Sequence, residues 1–471
     1  MFHGKHIAWM TVNWNRVFPS HQSRVTSPHF HIKEFIMKRQ NYLIPIGLML
    51  FALFFGAGNL IFPIFMGQNS GNETIPAIIG FLLTGVGFPI LAVAAIGYSG
   101  NDLEALTSRV HPGYAIFYTV ALYLTIGPAF AIPRTATTSF SIAIAPFFTE
   151  SMQQTALCGF AFLFFLLSWW LASNPSKLVA RIGKLITPAL LVFLAILFIS
   201  ATISPIGPWQ APRDSYAPSL KALTQGFLDG YNTMDALAGF VFGIIVVNAV
   251  RQFGAKTNEE VATDTLKSGI IAGFCLAVIY VFLACIGASS VSEMGIKDNG
   301  ADVLVAISVH YFGSYGRILM GLIVLLACLT TSVGLITACG EYFNKLLPVL
   351  SYKMWATLFS VISFVIALCG LSTIIAAAVP VLMFLYPLTI SLIFLTFGNS
   401  IYGGARSVYV CATLLTLLPA LYDGCHTAGL SMPAIDALMQ AVPLSHYGLG
   451  WICFFAVGVI LGMIVKQVGK R

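Results

Sequence analysis

Twelve apolar runs dominate the chain, near 42–66, 76–98, 113–133, 153–173, 185–205, 226–249, 268–290, 316–340, 354–372, 374–397, 407–422 and 448–467. Each approaches the roughly 20 residues a helix needs to cross a bilayer. Backbone groups in lipid must bond within their own segment, so runs of this length are helices. Composition agrees: 58% of the 471 residues are apolar and 9% are charged. A soluble chain carries roughly 25% charged residues, so a water-facing surface of this size is excluded. The expected fold class is an all-α integral membrane protein of about twelve transmembrane helices. The lipid bilayer is an expected partner and nucleic acid is not.

The net charge of +7 is an orientation signal. With the N-terminus inside, nineteen of the 24 Lys and Arg fall on that side and four (Arg213, Lys221, Lys297, Arg317) on the other. An excess of Lys and Arg marks the cytoplasmic loops, so both termini are expected in the cytoplasm. Arg134 belongs to neither side. It follows Gly127-Pro128 and Pro133 at the end of the third run and reads as a side chain that snorkels to the interface or pairs with an acid as a gate. Eight of the nine cysteines lie in apolar runs and read as packing residues.

Residues 1–36 differ from the rest. They hold five of the nine histidines (His3, His6, His21, His29, His31) at irregular spacing, without carboxylates to frame a metal site. They read as an extension that is disordered or precedes the natural start, with Met37-Lys38-Arg39 the more natural beginning. There is no apolar h-region of a secretory signal. Between the fifth and sixth runs, Ala-Pro-Arg-Asp-Ser-Tyr-Ala-Pro (211–218) reads as a rigid, proline-punctuated turn.

Two runs are interrupted. The first reads Phe54-Phe55-Gly56-Ala57-Gly58-Asn59-Leu60-Ile61-Phe62-Pro63. Gly costs a helix interior about 1 kcal/mol and Pro about 3 kcal/mol, so a plain anchor is not written this way. A glycine packing notch is the bland reading; an unwound segment lining a polar cavity is the sharper one. The sixth reads Gly226-Phe227-Leu228-Asp229-Gly230-Tyr231-Asn232-Thr233-Met234-Asp235-Ala236-Leu237-Ala238-Gly239. An ionised Asp at the bilayer centre costs at least about 2.5 kcal/mol. Asp229 is read either as interfacial or as part of the break; Asp235 lies deeper. Breaks at corresponding places in two halves point to a transporter with inverted repeats and a midplane site. The eighth run carries Thr330-Thr331-Ser332, whose hydroxyls either bond back to their own helix or serve as hard oxygen ligands.

The strings Phe-Ala-Leu-Phe-Phe-Gly-Ala-Gly-Asn-Leu-Ile-Phe-Pro (51–63), Gly-Tyr-Asn-Thr-Met-Asp-Ala-Leu-Ala (230–238) and Leu-Thr-Thr-Ser-Val-Gly-Leu-Ile-Thr (329–337) resemble the bacterial branched-chain amino acid:cation symporters, over about 40–467. Asn232 and Gly239 depart from the residues expected there. The resemblance implies the amino acid–polyamine–organocation fold: two inverted five-helix repeats (37–205 and 226–400, together a core over 37–400) with broken first and sixth helices, then two peripheral helices (401–471). It implies uptake of leucine, isoleucine and valine across a bacterial inner membrane with Na+, or H+, as coupling ion. By resemblance to sodium-coupled members of the superfamily, Na+ is expected on the carbonyls of Ala52 and Phe55 and the hydroxyls of Thr331 and Ser332, with Thr330 as substitute. No cofactor is expected.

An amino acid zwitterion needs three kinds of partner. Its carboxylate needs donors, which the N–H groups of Gly56, Ala57 and Gly58 offer at the start of the half-helix near Asn59. Its ammonium needs acceptors, expected among the carbonyls around Phe227, Gly230 and Tyr231, with Asp229 or Asp235. Its side chain needs an apolar wall, expected from Phe54, Phe240 and Phe242. A proton-coupled carrier would need a titratable group at depth, and Asp235 is the candidate. An enzyme is not expected: there is no HExxH, no GxSxG and no His–Asp pair inside the runs. The alternatives are the same fold carrying another neutral amino acid or small solute, or a transport-like sensor without flux.

Overall fold

A computed structural model describes residues 42–99, 103–173, 177–430 and 432–468, with backbone alone at 177–187, 189 and 190. The expectations for residues 1–36 lie outside the described residues. Leu43–Arg471 form one compact unit.

The described residues are mostly helical, with no strand among them. The first run is two helices, α1 (Tyr42–Phe54) and α2 (Ala57–Ser70). The second is α3 (Thr74–Leu82), a π-helical turn over Leu83–Gly87, and α4 (Phe88–Ser99). Then come α5 (Pro112–Leu124), α6 (Ala131–Ala143), α7 (Glu150–Ser173) and α8 (Lys177–Ile203). The sixth run splits into α9 (Ser219–Asp229), a 3₁₀ turn over Gly230–Thr233, and α10 (Asp235–Gln252). The longer helices that follow are α11 (Asn258–Met294), α12 (Gly300–Leu346), α13 (Tyr352–Ala367), α14 (Leu371–Phe397), α15 (Arg406–Thr427) and α16 (Trp451–Val468).

Among the described residues nine segments are long and apolar enough to cross a membrane, and three shorter apolar helices accompany them. Two boundaries differ from those expected. Proline read as the end of the third run, yet the chain only kinks at Gly127 and continues to Ala143. Pro133 falls in the first turn of α6, where its missing N–H has no helical partner to lose. The segment 291–315, which falls between the seventh and eighth apolar runs, is largely the start of α12, bent at Gly313 with φ 58°.

The packing carries the two-fold relation between the halves. The second half of the first span, α2, packs on α11 of the seventh, while the second half of the sixth, α10, packs on α4 of the second. Exchanging first with sixth and second with seventh turns one contact into the other. Both seams close at backbone distance through glycine. A Cβ on Gly67 would sit 2.0 Å from the Ala284 carbonyl oxygen, and one on Gly239 2.8 Å from that of Pro89. Small residues are what allow membrane helices to approach so closely. α6 lies along α12. The trailing α16 is peripheral: 17% of its apolar window is buried, against 67% for α10.

Between α8 and α9 the chain returns over the ends of both broken spans. The Arg213 N–H donates to the Asn69 carbonyl (2.9 Å) and the Asn72 N–H to that of Gln210 (2.9 Å). The Tyr216 hydroxyl donates to Asp229 Oδ2 at 2.5 Å. Burial, and then the Asp229 charge, hold this phenol well above its ordinary pKa.

Candidate functional site

The two breaks meet in one buried cavity of about 40 Å³. At the first, α1 ends with the Phe55 N–H on the Phe51 carbonyl (2.8 Å). The next donor, the Gly56 N–H, turns to Asn59 Oδ1 (2.9 Å). The Ala52 carbonyl thereby loses the i+4 donor that a continuous helix supplies. Gly56 is extended (φ −130°, ψ −164°). At Ala57 and Gly58, α2 begins with N–H groups that have no helical acceptor. Pro63, inside α2, withholds a further N–H from the Asn59 carbonyl.

At the second break α9 gives way to the 3₁₀ turn, and Met234 turns the chain through the left-handed region at φ 64°. Asp235 then opens α10, where a carboxylate suits the positive end of the helix. Asp235 Oδ2 accepts from Asn59 Nδ2 at 2.6 Å and from the Tyr280 hydroxyl at 3.0 Å. Asn59 Nδ2 also donates to the Tyr280 oxygen. One asparagine side chain therefore caps the first break and ties it to the second, and all three side chains are buried.

Arg134 is the departure from expectation. It is 6% exposed, so it does not snorkel to an interface. Continuation of the third span to Ala143 carries it inward. Its Nη1 donates to the Asn232 carbonyl (2.7 Å) and its Nη2 to that of Thr233 (3.5 Å). Its guanidinium lies 5.1 Å from the centre of the Phe62 ring. A cation here answers the negative end of the α9 turn.

Of the residues expected to bind substrate, Phe54, Gly56, Ala57, Gly58, Asn59 and Asp235 line the cavity. Phe54 meets Phe242 edge-on at 5.6 Å, and Phe242 also lines it. Phe227, Gly230, Tyr231 and Phe240 do not line it. The Phe227 carbonyl accepts from Thr84 Oγ1 (2.8 Å) and the Gly230 carbonyl from Thr233 Oγ1 (2.9 Å). Tyr231 stacks on Tyr386 at 4.0 Å. Asp229 is occupied by Tyr216 and by Gln225 Nε2 (3.0 Å).

Of the expected cation ligands, Thr331 lines the cavity and packs 3.4 Å from where a Gly56 Cβ would stand. Thr330 and Thr331 both bond back to the Ala327 carbonyl, at 2.8 and 3.1 Å. Ser332 Oγ is buried without a hydrogen-bond partner among the described residues. Ala52, Phe55, Thr330 and Ser332 do not line the cavity itself. The set is made of uncharged oxygens, which suits a hard monovalent cation.

Sequence reasoning missed Tyr280, Met234 and the placement of Arg134. Tyr280 left no signal, being one phenol in an apolar run. Arg134 did: an arginine assigned to neither side of the membrane points to an interior role.

A sequence model of the family described as "Branched-chain amino acid transport protein" matches residues 39–469. The chain belongs to this family. It is 47% identical over 428 residues to the "Branched-chain amino acid permease BrnQ" of Bacillus subtilis (strain 168), covering 90% of this chain and 97% of that one. To the "Branched-chain amino acid transport system 2 carrier protein" of Pseudomonas aeruginosa (strain PAO1) it is 39% identical over 426 residues, covering 90% and 96%. Among solved structures it shares the fold of Mhp1 in its inward-facing conformation, with a TM-score of 0.59 at 13% identity, covering 90% of this chain and 91% of that one. A chain of the branched-chain amino acid transport protein family is a multi-pass membrane transport protein and not an enzyme.

Proposed function

We propose that the chain is a secondary symporter that imports leucine, isoleucine and valine with Na+ by alternating access. The observation that carries the reading is the meeting of two half-helix ends on one buried cavity, in a chain whose relatives are named branched-chain amino acid permeases and carriers. The carboxylate sits at the first N–H groups of α2, the ammonium at Asp235, and the branched side chain against Phe54 and Phe242. A cavity of about 40 Å³ has room for only a few waters, so the substrate enters as the lining helices part. An apolar wall separates ligands by about 1–3 kcal/mol per methylene, so the three amino acids compete.

Na+ sits between α1 and α12, on the carbonyls of Ala52 and Phe55 and the hydroxyls of Thr331 and Ser332, with Thr330 in reserve. The Ala52 carbonyl without its helical donor and the Ser332 hydroxyl without a partner among the described residues support this. One cation moving inward gains about 2.3 kcal/mol per 100 mV. The first, second, sixth and seventh spans rock as a block, in keeping with their glycine seams. The membrane is a bacterial inner membrane with both termini cytoplasmic, in keeping with the nineteen-to-four distribution of Lys and Arg. A second reading, proton coupling, is favoured by one observation: Asp235 is a buried carboxylate on the cavity.

Labelled leucine uptake into proteoliposomes tests both, under a Na+ gradient and then a proton gradient at equal potential, with Thr331→Ala/Ser332→Ala alongside. Uptake that needs Na+ and is lost in the double variant is expected. Uptake on protons alone removes the Na+ site and moves coupling to Asp235. No leucine flux under either gradient removes the branched-chain reading and leaves a transport-like sensor or a carrier of another solute.

A further inference from the structure

Arg134 and Asp235 are the charged side chains among the residues lining the cavity. Arg134 comes from the third span and Asp235 from the sixth. Their formal charges cancel, so the site as built is neutral.

A buried guanidinium has five N–H donors in a fixed fork. Two are directed at the carbonyls of Asn232 and Thr233. The remaining three have no protein acceptor among the described residues, and the group borders the cavity. Its position is fixed from three directions: those two carbonyls, the Phe62 ring, and the start of α2. A Cβ on Gly58 would stand 2.8 Å from Nη2. The guanidinium and the first N–H groups of α2 thus border the same corner. Such a fork matches a carboxylate in two parallel hydrogen bonds. On Asp235, Oδ2 is taken by Asn59 and Tyr280, and the residue lines the cavity. The cavity therefore offers a cationic donor set and an anionic acceptor, each partly engaged by protein and partly open.

We propose that Arg134 is a substrate ligand that takes the carboxylate together with α2, and that with Asp235 it restricts the site to ligands carrying both charges. The proposal rests on the amino-acid transport reading above. A buried ion pair is strongly disfavoured when one partner loses its counter-charge. An amine without a carboxylate would meet Asp235 and leave Arg134 exposed to an apolar wall. A carboxylate without an amine would do the reverse. A zwitterion satisfies both at once.

The test compares purified wild type with Arg134→Gln and Arg134→Lys. The ligands are leucine, 3-methylbutylamine (leucine without its carboxylate) and 4-methylpentanoate (leucine without its ammonium). Binding is measured in detergent and leucine uptake in proteoliposomes, with size exclusion and thermal melting as folding controls. Wild type is expected to bind leucine and to bind neither analogue within a hundredfold of it. Arg134→Gln is expected to lose leucine binding a hundredfold or more and to gain 3-methylbutylamine, because the cavity then carries the Asp235 charge alone. Arg134→Lys is expected to keep the selection against the amine while raising KM for leucine about tenfold at unchanged maximal rate, since a lysine lacks the fork. If Arg134 only caps the turn after α9, Arg134→Gln weakens leucine and the amine alike and preference does not change; that result overturns the proposal. So does an Arg134→Lys protein with wild-type KM, which decides the matter should Arg134→Gln fail to fold. Failure of the wild type to bind or move leucine defeats the transport reading instead, so the two failures are distinguishable.

Discussion

At the first break the chain caps itself. The Asn59 amide oxygen holds the Gly56 N–H three residues back, and the break is closed by local sequence. At the second, the turn is closed from outside: the carbonyls of Asn232 and Thr233 are held by Arg134, which lies 98 residues before Asn232 on another span. The halves are related in architecture and differ in how their polar ends are satisfied. The first break presents donors at the start of α2. The second presents Asp235 at the start of α10, with its acceptor carbonyls already engaged. Symmetric topology therefore yields a site with two unlike poles, as a zwitterion requires.

Space around the glycines sharpens the contrast. A Cβ on Gly230 would lie 1.9 Å from Thr84 Oγ1 and 3.0 Å from the Phe81 carbonyl, so the second break has no room. Gly230→Ala is expected to have the largest effect, a loss of about 3 kcal/mol in stability, read as a fall in melting temperature in detergent. Thr84→Ala in the same protein should restore part of it; no restoration would mean the clash is not the cause. Next, Asn59→Ala removes the one side chain shared by both breaks, leaving the Gly56 N–H without its acceptor and Asp235 without its amide donor. A cost of about 2 kcal/mol corresponds to a roughly thirtyfold loss of leucine uptake. An uptake loss below threefold would mean that the breaks are not coupled through Asn59. The smallest effect is expected at Gly56, where the backbone is extended and a Cβ would stand 3.4 Å from Thr331. Gly56→Ala should change stability by less than about 0.5 kcal/mol, and a change as large as that of Gly230→Ala would erase the asymmetry between the breaks.

The same contrast explains what was legible in the sequence. The helices follow from apolar length, and the first break from Gly56, Gly58 and Pro63, because local composition decides both. The nest at Ala57 and Gly58 and the place of Asp235 on the cavity could be expected for the same reason. The acceptors could not. Whether the carbonyls of Phe227 and Gly230 are open depends on Thr84 of another span and on Thr233 folding back, and neither leaves a mark in the sequence nearby. Arg134 was misplaced because Pro128 and Pro133 look like terminators, whereas a proline in the first turn of a helix resuming at Ala131 costs little. Tyr280 joins Asn59 and Asp235 only through the packing of the seventh span.

The segment between α8 and α9 holds the end of α2 through Asn69 and Asn72 and the end of α9 through Tyr216 and Asp229. These are parts of the two broken spans on one side of the cavity, and they share a single tether. A displacement of either half-helix there must break these hydrogen bonds or draw the other along through the shared strap.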